Sequence, residues 1–145
     1  MATQKLEDVV NFIETQLNTV SKLDKVVYQG ADDPEPQVKD YGAVIYIGLE
    51  EPVTRENLHI GPHLTETWQV NVDIIIKRKP ATPRKTVSVT YGTSYWIDTI
   101  TALFLNKTNS GAFVRTTWFS DEVEEVNSGI KIKGLVTVVI LNKYT

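Results

Sequence analysis

The two histidines, His59 and His63 in "HIGPH", are the residues whose type and spacing best suit a metal. A step of four puts two imidazoles on one face of a helix, and Glu56 or Glu66 could add a carboxylate. Gly61 and Pro62 lie between them and disfavour a helix, so the expectation is two loop histidines and no metal site. General acid–base chemistry needs carboxylates in a cleft with shifted pKa values. The sequence signals no such cleft, and Asp73 on a strand pattern and Asp98 on a helical one read as surface residues. No GxxxxGK[ST], GxGxxG or GxSxG pattern occurs, so neither a phosphate-cradling loop nor a nucleophile elbow is signalled. The chain has no cysteine, which excludes disulfides, thiolate metal sites and a cysteine nucleophile and suits a reducing compartment. Trp68, Trp96 and Trp118 could stack on a ligand, but each sits on an apolar stripe or in a strand, which points to core packing. No catalytic residue and no cofactor are expected.

Charge is the second source of chemistry. The formal net charge is −3 over 145 residues, which argues against a dedicated nucleic-acid binder. Its distribution is uneven. Lys77, Arg78, Lys79, Arg84 and Lys85 crowd into "KRKPATPRK". Asp32, Asp33, Glu35 and Asp40 share one acidic loop, and Asp121, Glu122, Glu124 and Glu125 form a second acidic cluster. The basic stretch reads either as a solvated loop that stops a strand from pairing further or as a contact for phosphate. No aromatic interleaves its cations, which disfavours a single-strand stacking platform. The separated signs also fit a bipolar surface through which copies of the chain recognise each other.

The elements that must position these residues follow from periodicity. Leu6, Val9, Val10, Ile13, Leu17 and Val20 recur at three- and four-residue steps, predicting an amphipathic helix over 3–20 with Thr3 as N-cap. A short strand is expected at 25–29 and a doubly apolar, central strand at 42–49. The connection 50–62 reads as a long loop. From Glu66 to Ile76 the even positions are Glu, Trp, Val, Val, Ile and Ile; the odd positions Thr65 to Asp73 are Thr, Thr, Gln, Asn and Asp. A strand over 64–77 would reach about 45 Å, so part of it is expected to project from its own body. Tyr95, Trp96, Ile100, Leu103 and Phe104 predict a helix that starts at 86 or 93 and is capped by Thr93 or Ser94. Strands at 112–119 and 130–141 follow, joined by a turn at Asn127-Ser128-Gly129. Leu135, Val139 and Leu141 leave the outer face of the last strand apolar at one end, as contact with a helix or another chain would require. The N-terminus lacks a signal-peptide pattern, and no apolar run approaches the ~18 residues of a membrane span. The expected fold is one α+β domain over 1–145, a mainly antiparallel sheet with two helices on one face.

An N-terminal amphipathic helix, the strand "HLTETWQVNVDIIIK", the helix "YWIDTITALFLN" and a closing "GIKIKGLVTVVILN" together resemble the tail terminator (tail completion) proteins of long-tailed bacteriophages. The resemblance covers most of the chain and is one of pattern. It implies a structural protein that catalyses nothing. Such proteins form a six-membered ring that caps the tail tube, stops its polymerisation and offers a docking surface to the head-side connector. The implied partners are further copies of the chain, the tail-tube protein, the connector and DNA passing through the lumen without sequence-specific binding. The implied location is the virion tail, after assembly in the host cytoplasm. On this reading Thr65, Thr67, Gln69, Asn71 and Asp73 belong to a subunit face. Asp121, Glu122, Glu124 and Glu125 would meet a neighbour. Lys77, Arg78, Lys79, Arg84 and Lys85 would lie near the lumen or on a partner-facing rim. The alternatives are a head–tail connector or tail-tube subunit and, from another class, a small-molecule-binding module.

Overall fold

The computed structural model of the chain describes residues 3–29, 38–46, 53–58, 61–77, 92–108, 113–126 and 129–144. The first helix, α1 (Leu6–Asn18), buries Val9, Val10, Ile13 and Leu17 as the apolar stripe demands, and Phe12 beside them. Its N-cap position is Lys5, not the expected Thr3. The Asp8 carboxylate accepts the Lys5 backbone N–H at 2.8 Å, which satisfies a donor at the helix start. Thr3 instead donates its hydroxyl to the Lys143 carbonyl at 2.5 Å. The Phe12 ring meets Phe113 edge-on, with centroids 5.0 Å apart, which ties the helix to the far side of the sheet.

The strands are β1 (Lys25–Gln29), β2 (Tyr41–Tyr46), β3 (Val53–Glu56), β4 (His63–Lys77), β5 (Phe113–Val126) and β6 (Gly129–Lys143). They form one sheet in the order β1-β2-β4-β6-β5, with β3 also paired to β4. Among the described strands only the β1–β2 pair is parallel; the other pairings are antiparallel. As expected of a doubly apolar strand, β2 is interior, and Ala43, Val44 and Ile45 are buried. The second helix, α2 (Thr93–Phe104), follows β4. Its N-cap is Gly92, with no side-chain cap, so neither Thr93 nor Ser94 has the expected capping role.

Both helices share one hydrophobic core with the same face of the sheet. Val70, Val72, Ile74 and Ile76 of β4 and Ile132, Val136, Val138 and Ile140 of β6 point into it. Trp68, Trp96 and Trp118 are all buried there, so the tryptophans pack the core as their positions predicted. Among the described residues the architecture is α+β, a mainly antiparallel six-stranded sheet with two helices on one face.

Three expectations are corrected. β4 does not project: β6 pairs with it from His63 to Lys77, and β3 and β2 line its other edge. A 15-residue strand is accommodated because its neighbour β6 is also 15 residues long. The connection 50–62 is not wholly loop, since β3 lies within it and pairs with Thr65–Trp68. The strand expected to end at 119 continues to Val126 and passes through the acidic cluster.

Candidate functional site

Alternation puts the odd residues of β4 and β6 on the face opposite the helices. Thr65, Thr67, Gln69, Asn71 and Asp73 therefore lie beside Leu141, Val139, Thr137, Leu135 and Lys133, with Thr117 and Phe119 of β5 continuing the face. One corner is covered: Val38 packs on Val44 and Ile75, with Val27 beside them. Over the rest no described helix or strand packs. Phe119 is 66% exposed and Leu141 38%. The sequence brings Thr65, Thr67, Gln69, Asn71 and Asp73 together on this face as expected. It also leaves Leu135, Val139 and Leu141 away from both helices, which eliminates a helix as their partner among the described residues.

Across this face runs an open depression of about 390 Å³, lined by Gln29, Tyr46, Asn71, Asp73, Asp121, Lys131, Lys133 and Gly134. Its charges are paired locally. Lys131 Nζ lies 3.9 Å from Asp73 Oδ2, and Lys133 Nζ lies 3.4 Å from Glu124 Oε2. Glu124 and its neighbours raise the pKa of Lys133. Asp73, expected at the surface, has a side chain only 14% exposed. Gly134 donates its N–H to Asp73 Oδ1 at 3.4 Å. Burial raises the pKa of this carboxyl, against the lowering influence of Lys131, the Gly134 N–H and Lys133.

Between the ordinary carboxylate pKa and the raised one, the folded chain holds a proton that the unfolded chain has lost. Stability contributed by this group therefore falls as pH rises through that window. Asp73→Asn keeps an oxygen for the Gly134 N–H and removes the charge. It is expected to be more stable than the native chain at neutral pH, with the difference gone below about pH 3, where the native carboxyl is protonated in both states. Urea unfolding at the two pH values checks this; a variant less stable at neutral pH would show that the Lys131 pairing outweighs the burial cost.

A second cluster was not anticipated as such. Glu66 sits on the apolar parity of β4 and is fully buried. Arg55 Nε of β3 reaches its Oε2 at 2.8 Å, and the Tyr144 hydroxyl lies 2.8 Å from each carboxylate oxygen. Asn142 Nδ2 donates to Oε1 and also to the Gln4 carbonyl at 2.7 Å, while Asn142 Oδ1 accepts the Gln4 N–H at 2.7 Å. Burial, then the bond to Glu66, raises the pKa of Tyr144. A buried carboxylate needs such partners. Here they join four parts of the chain: the N-terminal segment, β3, β4 and the residues at the end of β6. Parity alone marked Glu66 as inward-facing; nothing local in sequence named its partners.

The remaining predicted residues fall as follows. Lys77 ends β4, is exposed, and donates its backbone N–H to the Asp40 carbonyl at 2.9 Å. Arg78, Lys79, Arg84 and Lys85 lie outside the described residues, as do Asp32, Asp33, Glu35 and His59. Asp121, Glu122 and Glu125 are exposed on β5, and Glu124 is half-buried. His63 opens β4, and Asp98 is exposed on α2. Among the described residues no three His, Asp or Glu side chains gather in a metal-holding group. No protein-family model matches the chain, and no curated protein matches it.

Proposed function

We propose that this chain is a structural virion protein, a tail terminator that assembles into a ring on the end of a bacteriophage tail tube. The ring would stop tube growth and present a docking surface to the head-side connector. The observation that carries this reading is the one-sided sheet. Two helices cover one face, while the other carries exposed Phe119 and Leu141 beside a polar ladder of Thr65, Thr67, Gln69 and Asn71. Such a surface suits a neighbouring subunit better than water alone. The order and patterning of the elements support the same family. Head-to-tail contacts close into a ring when the rotation between neighbours allows it, and a closed ring also removes sheet edges from solvent. The basic residues Lys77, Arg78, Lys79, Arg84 and Lys85 would then be repeated around the axis, near the DNA path or on the rim that meets a partner.

The test is the shape of the assembled species under the electron microscope. Single closed rings are expected. Stacked rings or open filaments would replace the terminator with a tail-tube subunit.

A further inference from the structure

The two ends of the sheet differ in length and charge. β5, at one end, is 14 residues long, and among described strands it pairs only with β6. Its outward edge thus offers backbone N–H and C=O groups that no described strand takes. Its second half carries Asp121, Glu122, Glu124 and Glu125, with Val123 47% exposed among them. At the other end β1 is five residues long, begins with the exposed Lys25, and among described strands pairs only with β2.

The two edges stand at the same height. Lys25, Gly42, Ile75, Lys131 and Glu124 are successive register partners across the sheet. In the next row Val26, Ala43, Ile74, Ile132 and Val123 are successive partners. Lys25 and Glu124 therefore share the uncovered face, and Val26 and Val123 share the helix-covered one. The strand directions also match. β5 runs with β4 and against β1, so a sheet continued from β5 into the β1 of another molecule is antiparallel at the junction.

We propose that β1 of a second copy of this chain pairs antiparallel with the outer edge of β5, setting Lys25 beside Glu124 and Val26 beside Val123. The inference rests on the self-assembly reading above and narrows it to one pair of strands. Charge selects the partner. Two β5 edges brought together would set acid against acid, and like charges directly opposite are destabilising. The same acids favour an edge that opens with a lysine, so they protect against one pairing and select another. Glu124 is already close to Lys133 of its own chain at 3.4 Å, which holds it on the uncovered face. Each molecule carries both of these edges, besides the short outer edge of β3, so a β5-to-β1 contact is head-to-tail and propagates.

Because the chain has no native cysteine, engineered thiols report the junction without background. Directly opposed residues in an antiparallel pair have Cβ atoms about 4.5–5.5 Å apart, close enough for a disulfide after small adjustment. Glu124→Cys and size-tagged Lys25→Cys proteins are mixed, oxidised mildly and run on non-reducing denaturing gels. The mixed-size dimer is expected in several-fold excess over that from Glu124→Cys with Gln29→Cys, which lies at the far end of β1. Val123→Cys with Val26→Cys, which retains both charges, should link as well. If sedimentation shows assembled protein but neither expected pair links above the control, the strand pairing is overturned and the assembly reading stands. If the protein is monomeric throughout, even with tail tubes added, and neither pair links, both are overturned.

Discussion

Glu66→Ala should lower the free energy of unfolding by about 3 kcal/mol, read from urea denaturation. The estimate follows from what the carboxylate holds. Removing one partner of a buried ion pair costs about 3–5 kcal/mol, and the low end applies because the Arg55 side chain stays 45% exposed and is rehydrated. The substitution also strips an acceptor from the buried Asn142, and a buried polar group left unpaired costs about 1–3 kcal/mol, whereas Tyr144 is 40% exposed and can turn its hydroxyl to water. Asn142 keeps its two bonds to Gln4, which limits the loss. Glu66→Gln preserves shape and one acceptor oxygen and should cost about half as much. A second readout separates this cluster from general core damage. The bond to Glu66 contributes to the raised pKa of Tyr144, so in Glu66→Ala that hydroxyl should titrate closer to an ordinary tyrosine. An unchanged tyrosine titration with full stability would mean that the carboxylate is not engaged as described.

Gly134→Ala should be comparably damaging, at about 3 kcal/mol. A Cβ on Gly134 would lie 2.3 Å from Trp118 Cε2 and Cζ2 and 2.4 Å from its Nε1. The Trp118 side chain is 1% exposed in the core, and its Nε1–H donates to the Val72 carbonyl at 3.1 Å. The indole cannot retreat without losing that bond, worth about 1 kcal/mol, and overpacking adds about 1–3 kcal/mol. The ladder between β4 and β6 is already adapted to this contact. Its register passes from Asn71↔Leu135 to Ile74↔Ile132. In the gap, the Val72 carbonyl serves Trp118 while the Gly134 N–H serves Asp73. Urea unfolding followed by tryptophan fluorescence should show both the lower midpoint and an altered native spectrum. A native-like spectrum with an unchanged midpoint would contradict the close approach.

Periodicity made much of this fold legible. The alternation of β4 located its buried face from Trp68 to Ile76, and the stripe of α1 located the residues that cover it. What escaped was structure made by partners distant in sequence. β3 is only Val-Thr-Arg-Glu, with three of its four residues exposed, and it is a strand because β4 supplies the ladder. The run Asp121 to Glu125 has poor intrinsic strand preference, yet Glu122 and Glu124 stand opposite Lys133 and Lys131 of β6, and opposite charges across a ladder stabilise it. Glu66 is the clearest case. Its bonded partners Arg55, Asn142 and Tyr144 are 11, 76 and 78 residues away, so parity could place its side chain in the core without saying why a charge belonged there. The length of β4 misled in the opposite direction. A long strand suggested an arm, whereas β6 is equally long and β5 almost so, and together they make the whole sheet tall.

Whether this chain is one unit of a closed assembly is decided by sedimentation velocity of the purified protein over a wide concentration range. One discrete heavy species of fixed size, with the mass of a six-membered ring, is expected to grow at the expense of monomer. A continuous ladder of ever larger species, or a monomer at every concentration even with tail tubes added, would contradict a closed assembly.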